Sequence, residues 1–173
     1  MDGFLFLGRF VKAQGLRGEL KLYASDDFWY EVLESKELWL ERPQADDVER
    51  RPVHIESSRP HQAQYVVKLE GVDDRTQAEA EVGGNLFVDL TRLDVELPDR
   101  ILPFQVIGSI VRTEDGRVIG RVSNVLHSSA QEVYEVTGES GAVLIPAVPA
   151  FIVARDRERG EITVRPIPGL LDG

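Results

Sequence analysis

The sequence contains no cysteine. That excludes a disulfide framework, a thiolate metal site and a thiol nucleophile, and it fits a reducing compartment, so a cytoplasmic location is expected. Histidine is scarce too. His54, His61 and His127 stand far apart, and none sits at a metal-ligand spacing such as i, i+4. No apolar run approaches the roughly 20 residues a membrane-spanning helix needs. The stretch Phe4-Leu5-Phe6-Leu7 is apolar but short, with no basic residues before it and no small-residue cleavage site after it, so a strand is expected there and no membrane contact. Positive charge is in deficit: 20 Lys and Arg face 30 Asp and Glu, a formal net charge of −10. A chain that tracks phosphates wherever it meets them carries a basic surface, and this one as a whole does not. The acidic balance suits a basic protein partner; it also serves solubility alone.

Catalytic constellations are missing as well. There is no Gly-x-Ser-x-Gly elbow, and Ser128-Ser129 merely follow His127 in sequence. Gly15-Leu16-Arg17-Gly18 lacks the lysine and the glycine spacing of a phosphate-binding loop. The paired carboxylates Asp26-Asp27, Asp46-Asp47 and Asp73-Asp74 fall in turns or at a helix start, where capping explains them. No catalytic residue, metal site or cofactor is expected. The reading is a monomeric binding protein that is not an enzyme.

What is present is a β rhythm broken by turns. The 173 residues suit two domains of about 80 to 90 residues each. Strands are expected at Leu5–Val11, Glu19–Tyr23 and Glu37–Glu41, with Asp26–Leu33 as a short helical or turn segment. Val48–Ser57 and Ala63–Leu69 read as one long hairpin turning at Arg59-Pro60-His61. Asp73–Val82 reads as a helix capped by Asp73 or Asp74 and stopped by Gly83-Gly84, and Asn85–Asp89 as a further strand. About six strands and one helix suggest a small closed barrel over residues 1–90. Residues 91–103, with Pro98 and Pro103, read as a linker, and 104–173 as a second β domain. Its strands are expected at Val106–Thr113, Arg117–Leu126, Glu132–Thr137, Ala142–Ile145 and Ile162–Arg165. Pro146–Val153 reads as a helical or irregular crossover and Pro166–Gly169 as a tail.

Two features invite a functional reading. Gly15 and Gly18 bracket a turn with Leu16 and Arg17 at its tip; it is either a tight connection or a rigid loop presenting Arg17 and nearby Lys12 to a partner. Phe28, Trp29 and Tyr30 are consecutive, so they cannot all face one core, and at least one is expected at the surface or in a groove.

The order of these motifs resembles a known family. Gly8-Arg9-Phe10-Val11-Lys12-Ala13-Gln14-Gly15-Leu16-Arg17-Gly18-Glu19-Leu20-Lys21 resembles the opening of the bacterial ribosome maturation factors called RimM, and Leu69–Ala80 resembles their later N-domain signature. Gly108, Asp115-Gly116, Ile119–Val122, Ala130–Val133, Leu144-Ile145-Pro146 and Pro168–Asp172 resemble a PRC-barrel domain. The resemblance implies a six-stranded, translation-protein-like N-terminal barrel with one short helix, joined by a linker to a PRC-barrel. It implies a non-catalytic assembly chaperone that binds the head of the small ribosomal subunit precursor, through the basic head protein numbered nineteen and a local rRNA contact, and that supports rRNA processing. A PRC-barrel module with an unrelated protein partner stays open beside it. The family's aromatic pair before the second domain is Ile101-Leu102 here, its aspartate is Gln105, and Phe104 is the aromatic that remains. The partner-binding residues expected on these grounds are Lys12, Gly15, Leu16, Arg17, Gly18, Ile101, Leu102 and Phe104.

Overall fold

A computed structural model describes residues 3–44, 47–127 and 130–165. The chain divides into two compact units, 1–100 and 101–173, each built on its own sheet.

The first unit centres on β1 (Phe4–Gln14), which is long enough to pair with two neighbours. β2 (Glu19–Ala24) lies on one side of it and β7 (Asn85–Asp89) on the other. Outside β7 come β3 (Leu38–Gln44) and β4 (Asp47–Val53); outside β2 come β6 (Gln64–Leu69) and β5 (Ile55–His61). Strand alternation points Leu7, Leu20, Leu22, Leu38, Leu40, Val67, Leu86 and Val88 to one face, where they are fully buried with Phe10. Each contributes about 1.5–3 kcal/mol of transfer free energy. The two edge strands, β4 and β5, are separated in sequence by His54 alone. The sheet must therefore curl until its edges meet at that corner, which makes it a barrel.

Two expectations fail here for one reason. Val48–Ser57 is not a single strand, because its halves pair with opposite edges, β4 with β3 and β5 with β6. The barrel thus has seven strands where six were expected. The hairpin also turns later, at Gln62 (φ 48°) and Ala63 (φ 66°), the paired positive dihedrals that match strand twist. Pro60 sits inside β5, which as an edge strand tolerates a missing N–H.

Helix α1 (Arg75–Glu81) forms as expected. Asp74 accepts from the Gln77 N–H at 2.8 Å, and Gln77 returns the bond by accepting from the Asp73 N–H at 2.7 Å. Of the aromatic triplet, Phe28 and Trp29 are buried. Tyr30 is half-buried and packs tilted against Tyr65 with ring centroids 5.1 Å apart.

The second unit opens with the short helix α2 (Pro103–Val106). Its sheet runs β11 (Gly141–Pro146), β10 (Glu132–Gly138), β9 (Val118–His127), β8 (Ile110–Thr113), β13 (Glu161–Val164), β12 (Ile152–Asp156), with β13 parallel to β8. Val111, Val122, Tyr134, Val136, Ile145, Ile162 and Val164 form its core. Two readings are corrected. Val106 ends a helical turn begun by Pro103, so β8 starts only at Ile110. The expected crossover contains β12, because Ile152 is buried and pairs with Val164. The Ser128-Ser129 pair and the Pro166–Gly169 tail lie outside the described residues. No helix among the described residues is long and apolar enough to cross a membrane.

Candidate functional site

The β1–β2 hairpin is the most sharply built surface of the first unit. Its turn is fixed by two glycines for different reasons. Gly15 has φ +70° with open space around it; Gly18 has φ +91°, and a Cβ there would stand 2.0 Å from the Val72 carbonyl oxygen. The turn is tied down from α1, where Arg75 donates to the Gly15 carbonyl at 3.1 Å while also pairing with Glu79. On this fixed base Leu16 is 78% exposed and Arg17 is exposed beside it.

The strands extend the same surface. A register shift between Phe10 and Lys12 leaves Val11 and Lys12 both exposed. Lys12 then faces Lys21 across the ladder, and Arg9 faces Tyr23, itself 61% exposed. Cross-strand side chains are about 5 Å apart, and like charges so placed repel. Neither lysine pairs with a carboxylate among the described residues. Glu19, the acid next to the turn in sequence, is paired with Arg59 at 3.3 Å, and Asp73, whose backbone lies against Gly18, is paired with Lys68 at 2.9 Å. Arg9 is held by Asn85 at 3.0 Å. A chain of net charge −10 therefore carries on this hairpin face four cations, Arg9, Lys12, Arg17 and Lys21, interleaved with the exposed apolar groups Phe6, Val11, Leu16 and Tyr23. That arrangement suits phosphate contacts with base or apolar stacking between them.

Lys12, Gly15, Leu16, Arg17 and Gly18 are thus gathered on one hairpin. Sequence reading missed Arg9 and Tyr23 as part of the same face, since only the register aligns them. No group of three metal-ligating side chains occurs among the described residues.

Two family models cover most of the chain. One, the RimM N-terminal domain, matches residues 5–93, and the other, the RimM PRC barrel domain, matches residues 103–170. The chain belongs to the RimM family of ribosome maturation factors. A RimM of Prosthecochloris aestuarii is 34% identical over 166 residues, covering 95% of this chain and 96% of its own length. One of a Synechococcus species is 36% identical over 171 residues, covering 98% and 90%. A crystal structure of a RimM from Pseudomonas aeruginosa is 24% identical, covers 95% of this chain and 98% of its own, and has a TM-score of 0.45.

Between the two RimM domains, the segment expected to be a linker is in large part bound to the first unit. The Asp94 carboxylate accepts from the Ser35 hydroxyl at 2.5 Å and from the Lys36 N–H at 2.9 Å. The Glu96 carbonyl accepts from the Trp29 indole N–H at 3.0 Å, and Arg100 donates to the Phe28 carbonyl at 2.6 Å. The hydroxyl of Ser35 first, then the Lys36 N–H, holds the Asp94 carboxyl below its ordinary pKa.

The second group of expected RimM contact residues is placed less favourably. Ile101 packs half-buried on the core of the second unit, and Phe104 is half-buried. Leu102 is fully buried, so its side chain has no surface to offer, contrary to its expected role. The local reason is the helical turn that follows. Pro103 starts α2, and Gln105, which stands where the family pattern has aspartate, accepts from the Leu102 N–H at 2.8 Å and fixes that residue in place.

Proposed function

We propose that this member of the family is a non-catalytic assembly chaperone. It acts as a monomer in the cytoplasm. It binds the small-subunit precursor at the head, with the basic head protein numbered nineteen and nearby rRNA as its partners, and it supports processing of that rRNA. Family membership supports the maturation role. The observation that carries the rRNA contact is the facing pair Lys12 and Lys21, which no carboxylate among the described residues neutralises in a chain with a large acidic excess. Such a pair costs stability unless an anion occupies the face, and rRNA phosphate supplies one.

Sedimentation binding to purified small-subunit precursors tests this reading. Arg17→Glu, at an exposed turn tip, is expected to weaken binding about tenfold at fixed salt without lowering thermal stability. An unchanged Kd removes the hairpin from the contact. Absence of wild-type binding to precursor particles contradicts the assembly role itself.

A further inference from the structure

The outer face of the first sheet sets aromatic rings among its cations, and a contact with phosphates alone has no use for them. On β2, Leu20 and Leu22 turn inward and are buried, so Lys21 and Tyr23 turn outward. Two residues of strand place them about 7 Å apart. Across the ladder Lys21 faces Lys12 and Tyr23 faces Arg9. Tyr23 is 61% exposed, and neither its ring nor its hydroxyl has a partner among the described residues.

Phe6 stands on the other side of Arg9. These two face Phe87 and Asn85 on β7, which are two positions apart, so the register shift between Phe6 and Gly8 brings them to one side of the sheet. Phe6 is 40% exposed, and its ring rests tilted on Phe87 with centroids 5.6 Å apart. Arg9 is fixed in turn by Asn85. The face therefore runs from Phe6 to Arg9 with Tyr23 and on to the Lys12–Lys21 pair, with rings and cations alternating at strand spacing.

Paired and unpaired RNA meet such a face differently. In a duplex the flat sides of the bases are stacked inside, and the major groove is too deep and narrow for side chains to read. Phosphates are the part within reach. They are denser along a duplex than along a single strand, so charge alone favours the duplex. An unpaired strand exposes its base faces, and a ring beside a cation can take a base while the cation takes the neighbouring phosphate. The four cations turn away a basic protein segment.

We infer that this face selects unpaired RNA, with Tyr23 as the stacking platform between a phosphate held by Arg9 and one held by Lys12 and Lys21. The inference rests on the proposed rRNA contact; it adds the form of the RNA and the residue that sets the preference.

The test uses the full chain and two fluorescein-labelled RNAs, a short unstructured strand and the same strand annealed to its complement, titrated by anisotropy at physiological salt. The wild type is expected to bind the single strand at least about fivefold tighter than the duplex. Tyr23→Ala is expected to weaken single-strand binding at least about fivefold and duplex binding less than about twofold. Tyr23→Phe, which keeps the ring, is expected to stay within about twofold of the wild type on both RNAs. Should alanine disturb the strand, seen as a lowered urea midpoint of tryptophan fluorescence, Tyr23→Thr serves, since threonine keeps β propensity without a ring. Wild-type binding to the duplex as tight as to the single strand, or equal losses on both RNAs from Tyr23→Ala, overturns the inference in favour of phosphate contact alone and leaves the rRNA contact standing. An unchanged Kd for Tyr23→Ala overturns it as well, and so does a Tyr23→Phe protein that loses as much as Tyr23→Ala. Wild-type binding to neither RNA also overturns it, and precursor sedimentation run in parallel then decides separately whether the assembly role survives.

Discussion

Two alanine substitutions in the same turn separate backbone strain from steric exclusion. Gly15 and Gly18 both lie at positive φ, +70° and +91°. An alanine at Gly15 meets nothing within 4 Å, so it pays only for the left-handed conformation, about 1 kcal/mol. An alanine at Gly18 bears a similar conformational cost and would also place its Cβ 2.0 Å from the Val72 carbonyl oxygen, well inside contact distance. Relief requires moving the strand start away from the segment that leads into α1, and the expected total is about 3 kcal/mol or more. Both tryptophans, Trp29 and Trp39, lie in the first unit, so intrinsic fluorescence in urea follows that unit alone. Gly18→Ala should lower the midpoint about three times as far as Gly15→Ala at equal m-value. Equal shifts, or a loss below about 0.5 kcal/mol for Gly18→Ala, would refute the assignment of this close approach as the feature that fixes the turn.

Other expectations concern acid stability and the second sheet. The folded pKa of Asp94 lies below its ordinary 3.8, so its stabilisation is present above that value and is lost as pH falls through the lower folded one. Asp94→Asn should therefore flatten the acid limb of the fluorescence transition below about pH 4, and an unaltered limb would show that this carboxylate does not tether the segment. Asp115 is held down in the same way, first by the Thr113 hydroxyl and then by the Arg117 N–H, so the second unit should lose stability in the same direction. In that unit a Cβ at Gly120 would stand 2.3 Å from the Thr137 carbonyl oxygen. Gly120→Ala should cost about 1–3 kcal/mol and speed amide exchange at Val122 and Val136; unchanged exchange would contradict the close packing of β9 on β10.

Much of the fold was legible from local chemistry. Asp74 and Gly83 bound a helix as caps and stops do, and alternation in Glu19–Tyr23 marks the inward leucines of β2. Failures arose where pairing at a distance decides. Nothing local in Val48–Ser57 says that His54 is a corner joining the two edges of a barrel. Gln62 and Ala63 are not typical of a tight turn at positive φ, whereas Arg59-Pro60 looks like one. At the candidate site, the glycines announce the turn, but the facing of Lys12 and Lys21 depends on a bulge at Val11 that shifts the register. The apolar character of Ile101 and Leu102 was visible, while their burial followed from the α2 turn and its Gln105 bond. The binding of the segment after β7 to the first unit was invisible because it joins residues far apart in sequence, such as Trp29 and Glu96, which are 67 apart.

The hairpin contact is tested most directly by measuring the salt dependence of binding to small-subunit precursor rRNA for the wild type and for Lys12→Glu. The substitution creates a cross-strand Glu–Lys pair with Lys21. It should raise the urea midpoint by the equivalent of about 0.5 kcal/mol. At the same time it should weaken binding and reduce the slope of log K against log salt by about one to two, as one cation is removed and a second is neutralised. Greater stability with weaker, less salt-dependent binding is the predicted result. An unchanged slope and affinity would contradict the claim that this face meets the rRNA.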